Sequence, residues 1–275
     1  MTTPDIEHVA ALIREVALEV VLPRWRRLTP EEVREKAPGD LVTDIDMAAE
    51  ARLEDGLKAL TPGVPVIGEE RVAALPHLLD ELPGLPHAWI VDPIDGTANY
   101  VRGQEAFAVM VSYVVGGRVA AAWVYLPAFD EMASAEAGSG AWINGGRVRP
   151  PELSDDPAEM VGSAHTGRLP PLLREAVRAN LKRIKDNRPA FCAGFDYLAL
   201  LHGRRHFTLY SRTLPWDHLP GALLVTEADG KAARFDGEPF LDAAFKPGPG
   251  ILSAMSDWVW RRAQEALFGP QQNND

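Results

Sequence analysis

Ala88-Trp89-Ile90-Val91 is a short apolar run with no polar alternation, and it breaks directly into Asp92-Pro93-Ile94-Asp95-Gly96-Thr97. Such a run is the mark of a strand buried on both faces. The two acids then stand where the strand runs out, a place where side chains are held rigidly and face a crevice. Pro93 removes an N–H and stiffens the turn, so both carboxylates and the Ile94 carbonyl can be aimed together. Gly96-Thr97 reads as the start of a helical turn whose free N–H groups suit an anion such as phosphate. Hard oxygens beside an anion cradle are the ingredients of a Mg²⁺–phosphate site, and an Asx-turn capping a helix is the alternative.

The surrounding pattern alternates helices and strands in blocks, which points to a layered α/β or α+β protein. Thr3-Pro4 reads as the cap of an amphipathic helix carrying Ile6, Val9, Ile13, Val16 and Val20. Lys36 to Val42 reads as an extended connector, followed by a helix from Thr43. Strand-like runs at 107–115, 118–125 and 131–135, joined by turns such as Gly116-Gly117, predict an antiparallel meander. The polar, proline-rich stretch at 150–157 is the best boundary. It divides the chain into 1–150, with most of the candidate metal ligands, and 151–275, with the active site expected between the two. Beyond it, helices are expected near 172–184, 196–201 and 217–228, with a last one opened by Ser256.

Charge narrows the functions. Lys and Arg number 28 against 39 Asp and Glu, for a net charge of −11, and no basic tract exists to grip nucleic acid or an anionic membrane. The longest apolar stretch, 107–126, is interrupted by Gly116, Gly117 and Arg118, so no membrane span is expected. A single cysteine, Cys192, fits a reducing compartment, and the acid-containing N-terminus does not read as a signal peptide; a cytoplasmic protein is expected. His202 and His206 have i, i+4 spacing, but Gly203 and two arginines intervene, and a metal role is not expected.

Further acids stand beside strand or helix starts: Asp46 in Leu41-Val-Thr-Asp-Ile-Asp46, Glu69 in Gly68-Glu-Glu70, and Asp217 in Trp216-Asp217-His218. Singly, each has a plain reading as a cap or first-turn acid. Several carboxylates meeting in a water-poor cleft, however, cannot all stay ionised without cations. Taken in order, Leu41–Asp46, Gly68-Glu-Glu70, Asp92-Pro-Ile-Asp-Gly-Thr97 and Trp216-Asp217 with Gly221-Ala222 resemble the signatures of the inositol monophosphatase family. The matches run from about Lys36 to Gly237.

The resemblance implies a Mg²⁺-dependent phosphomonoesterase, a homodimer in the cytoplasm. Its fold would be the layered αβαβα sandwich of the inositol monophosphatase and fructose-1,6-bisphosphatase type. By the same resemblance, Glu69, Asp92 and the Ile94 carbonyl would hold a first metal, Asp92, Asp95 and Asp217 a second, and a weaker third would lie near Glu69. Asp46 would pair with Thr97, whose hydroxyl orients the attacking water, while Gly96 and Thr97 N–H groups hold the phosphate. Lys36 matches a lysine near the site. The meander at 107–125 could supply a dimer interface. The substrate is read as a small phosphorylated polyol, sugar or related metabolite. Sugar bisphosphates, 3′-phosphoadenosine nucleotides and histidinol phosphate are alternatives, as is a catalytically silent metal-binding regulatory protein.

Substrate choice is where the sequence departs from the pattern. Inositol-specific members carry an acid seven positions before the Asp of the Trp-Asp motif, where this chain has Tyr210. Their small-residue stretch is here Gly194-Phe195-Asp196-Tyr197, in which Asp196 is either a substitute polar anchor or a helix cap.

Overall fold

A computed structural model describes residues 3–37, 39–241 and 248–269. In chain order the elements are α1 (Ile6–Val16), β1 (Val33–Ala37), β2 (Asp40–Thr43), α2 (Asp44–Leu60), β3 (Val66–Gly68), α3 (Glu69–Ala74), α4 (Leu78–Glu81), β4 (His87–Asp95) and α5 (Thr97–Val101). The meander follows as β5 (Ala108–Val115), β6 (Arg118–Leu126), β7 (Glu131–Glu136), β8 (Gly140–Ile143) and β9 (Gly146–Arg147). The second half holds β10 (Val161–Ala164), α6 (Pro171–Asn180), β11 (Asp186–Asn187), α7 (Ala193–Leu201), β12 (Phe207–Tyr210), α8 (Pro215–Glu227), β13 (Lys231–Ala233), β14 (Ile251–Ala254) and α9 (Asp257–Phe268).

Strand alternation explains how these stack. In β4, Trp89 and Val91 pack into one apolar cluster with Val9, Ile13, Ala49 and Leu53 of α1 and α2. Ala88 and Ile90 point the other way, into a cluster with Tyr197 and Leu198 of α7 and Leu219 and Leu223 of α8. That second cluster also takes Ala232 and Ile251 of the five-stranded sheet β11-β10-β12-β14-β13. The opposite face of the same sheet, through Phe207, Leu209 and Leu252, is covered by Val177 of α6 and Trp260 and Ala263 of α9. The order of layers is therefore helix, seven-stranded sheet β3-β4-β5-β6-β7-β8-β9, helix, five-stranded sheet, helix. This is the αβαβα sandwich that the resemblance implies.

Three expectations change. The first helix is capped by Asp5, whose carboxylate accepts from the Glu7 and His8 N–H groups, and not by Thr3. The stretch read as a connector pairs with itself as the hairpin β1-β2, with Glu35 opposite Leu41. The meander cannot serve as a dimer interface, because β5 and β6 are almost entirely buried between the helix layers of their own chain.

The central helix layer has no room to spare. A Cβ on Gly221 of α8 would lie 2.0 Å from a ring carbon of Tyr197, which is wholly buried in α7. Gly221→Ala is expected to destabilise the fold by about 1–3 kcal/mol. Urea unfolding checks this: the midpoint falls while the slope is unchanged.

Candidate active site

Register gathers the acids. Strands β3 and β4 are parallel, with Gly68 opposite Val91, so the next residues of both, Glu69 and Asp92, emerge at the same carboxyl edge. Along β5, Asp92 pairs with Met110 and Asp95 with Ala108, leaving one extra residue on β4. The bulge falls where Pro93 has no N–H to give the ladder. The Asp92 side chain accepts from the Ile94 N–H at 3.1 Å. Gly96, at φ +83°, turns the chain into α5; a Cβ there would lie 2.9 Å from the Ala106 carbonyl oxygen. One cleft of about 550 Å³ is lined by Glu69, Asp92, Ile94, Asp95, Gly96, Thr97 and, from α8, Asp217.

Asp46 stands behind this wall. Its Oδ2 accepts from the Thr43 N–H at 2.8 Å in a capping box, and its Oδ1 is 3.1 Å from the Thr97 hydroxyl. Thr97 Oγ1 is also 2.9 Å from the Ile94 carbonyl, so its single proton goes to one or the other. Asp95 Oδ2 accepts from the Gly194 N–H at 2.7 Å and from Cys192 Sγ at 3.0 Å. Lys36 Nζ bridges Glu69 at 2.9 Å and Glu70 at 2.8 Å.

Negative charge is the electrostatic theme. Burial lifts the Asp92 carboxyl well above the usual range, and the charges of Glu69, Asp95, Asp217 and Asp46 lift it further. Burial pushes Asp95 up to about 6 against the Cys192 and Gly194 donors, and Asp46 up to about 6 against its Thr43 donors. Burial works against the charge on Lys36, but the Glu69 and Glu70 carboxylates outweigh it and hold its pKa above the ordinary value. Among the described residues, no three His, Cys, Asp or Glu side chains close on one point tightly enough to enclose a metal ion. Among the groups that line the cleft, the carboxylates of Glu69, Asp92, Asp95 and Asp217 are hard oxygen donors and Cys192 is tied to Asp95, a set that suits a hard divalent cation such as Mg²⁺.

The sequence profile of the inositol monophosphatase family matches residues 3–272. The chain belongs to that family. It is a phosphoric monoester hydrolase, and inositol monophosphatases are generally Mg²⁺-dependent. It is similar to the fructose-1,6-bisphosphatase/inositol-1-monophosphatase of Thermotoga maritima, with 32% identity over 227 residues, 82% of this chain and 83% of that protein. It is also similar to the Nus factor SuhB of Escherichia coli K12, 30% identical over 216 residues, 76% of this chain and 78% of that one. The solved structure of a Thermotoga maritima IMPase superposes with a TM-score of 0.76 at 28% identity, covering 94% of this chain and 96% of that one.

Within this member of the inositol monophosphatase family, the residues expected at the site are placed unequally. Glu69, Asp92, Ile94, Asp95, Gly96, Thr97, Asp217 and Tyr210 line the cleft, and Asp46 and Lys36 reach it through Thr97 and Glu69. Asp217 is the third residue of α8 and does not cap it; the cap position is Leu214. Asp196 is neither a helix cap nor a cleft residue: it lies inside α7, wholly buried, with Cys192 at the cap. His202 and His206 are spent separately, on Glu131 and on the Val161 N–H. No helix among the described residues is long and apolar enough to cross a membrane.

Sequence reasoning missed Glu50. Its carboxylate accepts from the Glu70 and Arg71 N–H groups at 2.8 and 2.9 Å, capping α3 directly behind Glu69. The available signal was its position one helical turn after Asp46, on the same face of α2. A Cβ on Gly68 would lie 2.1 Å from the Glu50 carboxyl carbon, so glycine is what lets this cap approach. Glu50→Ala is expected to cost about 1–2 kcal/mol of stability, because two half-buried N–H groups at the head of α3 lose their capping acceptor. Thermal unfolding of the metal-free protein reads that loss.

Proposed function

We propose that the chain hydrolyses a small phosphomonoester with two Mg²⁺ ions held by the acids of this cleft. Glu69, Asp92 and the Ile94 carbonyl would hold the first ion, and Asp92, Asp95 and Asp217 the second. A third, weaker ion would sit near Glu69. The observation that carries the reading is the parallel register of β3 and β4, which brings Glu69 and Asp92 to one edge facing Asp217. When bound, the cations supply an activated water near neutral pH and neutralise the leaving oxygen.

The chain's own groups do the rest. The Gly96 and Thr97 N–H groups head α5, where they have no intrahelical acceptor, and hold the phosphate oxygens. Asp46 accepts a hydrogen bond from the Thr97 hydroxyl, which leaves the Thr97 lone pairs to accept from the attacking water and orient it. Lys36 holds the Glu69 and Glu70 carboxylates and would compete with a bound cation for Glu69. The same reading makes the protein a cytoplasmic homodimer, on the resemblance and the single cysteine.

Phosphate release from a panel of phosphomonoesters, with Mg²⁺ and with excess chelator, tests this. Turnover is expected with Mg²⁺ and none in chelator. Turnover that survives chelation overturns the mechanism, and a protein that binds Mg²⁺ but hydrolyses nothing is the silent regulatory alternative.

A further inference from the structure

The wall of the cleft opposite the acids is built by the carboxyl ends of three parallel strands. Strand β10 pairs with β11 on one side, Gly162 opposite Asn187, and with β12 on the other, Ala164 opposite Leu209. His165 follows β10, Tyr210 ends β12 and Phe191 lies four residues past β11, so the three come out together. The His165 and Tyr210 rings stack at 4.1 Å and 15°, and Phe191 meets His165 edge-on at 5.4 Å and 89°. The His165 backbone N–H donates to the Leu209 carbonyl at 2.8 Å, so the imidazole is fixed at both its root and its face.

Asp196 sets what that ring can do. Its Oδ2 accepts from the Tyr210 hydroxyl at 2.7 Å and from His165 Nε2 at 2.8 Å. The Asp196 side chain is wholly buried, and among the described residues the His165 ring is its only cationic partner. A buried carboxylate needs such a partner, so the network assigns the Nε2 proton to the side facing Asp196. With Nε2 committed, Nδ1 is the nitrogen that can take up and give a proton. Nδ1 has no hydrogen-bond partner among the described residues and is not sealed from solvent, and the ring lines the cleft. A histidine backed by a buried aspartate, with its second nitrogen open to a cleft, is the arrangement of an acid–base catalyst.

Two tethers fix this dyad relative to the reacting end. Cys192 caps α7 and, with the Gly194 N–H, donates to Asp95; Asp196 follows one turn later on the same helix. The Ala190 peptide makes the second tether. Its carbonyl accepts from Asn99 of α5 at 2.8 Å, and its N–H lies 3.4 Å from the Asp196 carboxylate. Thr97 heads that same α5. In-line displacement sends the leaving oxygen out on the side away from the attacking water. With the phosphate and the water both held at Thr97, the leaving oxygen faces the wall that carries His165. An alkoxide leaves poorly, and it gains from a proton delivered as its bond to phosphorus breaks.

We propose that His165 is the general acid of this site and that Asp196 positions it. As the P–O bond breaks, its electron pair stays on the leaving oxygen, which takes the proton from His165 Nδ1. The ring is left neutral, with its Nε2–H still on Asp196, and it regains a proton from solvent before the next turnover. The attacking water supplies the oxygen that phosphate gains, so water is the only co-reactant. This rests on the phosphatase reading above and adds a catalytic residue to that same site.

The test measures kcat, in Mg²⁺, for the wild-type protein and His165→Gln on two esters. One is glycerol 2-phosphate, whose alkoxide needs a proton; the other is p-nitrophenyl phosphate, whose phenolate leaves without one. On glycerol 2-phosphate the variant is expected to fall about 10²- to 10⁴-fold, the range of general acid catalysis. On p-nitrophenyl phosphate the loss is expected to stay within about threefold, because no proton has to be delivered. Asp196→Asn keeps the shape but can donate to Nε2 and so misplace the ring proton; it is expected to lose the alkyl ester selectively as well. If Asp196→Asn does not fold, His165→Gln carries the test alone, since it changes a side chain at the cleft surface, 15% exposed. Equal losses on both esters overturn the proposal and make His165 a packing residue. Turnover of glycerol 2-phosphate kept within about tenfold in His165→Gln overturns it too. Both results leave the phosphatase reading standing. If the wild-type protein hydrolyses neither ester, both readings fall together.

Discussion

Asp92→Asn is expected to lower phosphate release at least ~10³-fold while raising the thermal midpoint of the metal-free protein. The two effects have one cause. Asp92 is 1% exposed and lies in the field of Glu69, Asp95, Asp217 and Asp46, so its charge is costly wherever no cation offsets it. Asparagine keeps the shape and removes the charge, which relieves the metal-free fold and should raise its midpoint by about 2–4 °C. The same change removes the carboxylate proposed to be shared by two cations, so activity is lost and the midpoint rise on adding Mg²⁺ shrinks. Differential scanning fluorimetry with and without Mg²⁺, alongside phosphate release, separates the effects. A variant that keeps Mg²⁺-dependent turnover within tenfold, or unfolds earlier without metal, would show that Asp92 is a structural acid.

Thr97→Ala is expected to lower kcat by about 10²- to 10⁴-fold with KM changed by no more than a few-fold. The Thr97 hydroxyl lies 3.1 Å from Asp46 Oδ1 and 2.9 Å from the Ile94 carbonyl, a geometry that fixes where its lone pairs point. Orientation of a reacting water belongs to the chemical step, which is why kcat and not KM should respond. Thr97→Ser keeps the hydroxyl and is expected to recover activity to within about tenfold. Equal losses in the alanine and serine variants would assign Thr97 to packing at the head of α5.

The layered fold was readable because its signals are local. Four apolar residues without alternation in β4, the diglycine at 116–117 and the helical periodicities of α1 and α2 each need only a few neighbouring residues to declare themselves. Errors fell where a partner decides the outcome. The stretch around Lys36 reads as a connector because neither β1 nor β2 is apolar, and only their pairing makes them strands. The apolar meander at 107–125 invites an interface reading, yet helices from both halves of the chain already cover it.

The acids of the cleft followed the same division. Asp92, Asp95 and Thr97 are aimed by one bulged turn, so their spacing in sequence carries their geometry. Glu50 escaped notice because a carboxylate on a helix is most often solvated, and its role depends on α3 starting at a glycine beside it.

By itself, then, the sequence determined one wall of the cleft: short-range backbone geometry is enough to bring Asp92, Ile94, Asp95 and Thr97 to one lining. What stands on the opposite wall of the cleft was decided by the tertiary structure alone. His165, Phe191 and Tyr210 come from three strand ends spread over 46 residues of chain, and only their parallel pairing makes them one wall. Asp196 shows the physical reason most plainly. In sequence it is either a polar anchor for a substrate or a helix cap; in the fold it is wholly buried, its carboxylate accepting from Tyr210 and His165. Burial depends on which elements pack together, and it took Asp196 out of the cleft and set it behind the His165 and Tyr210 rings.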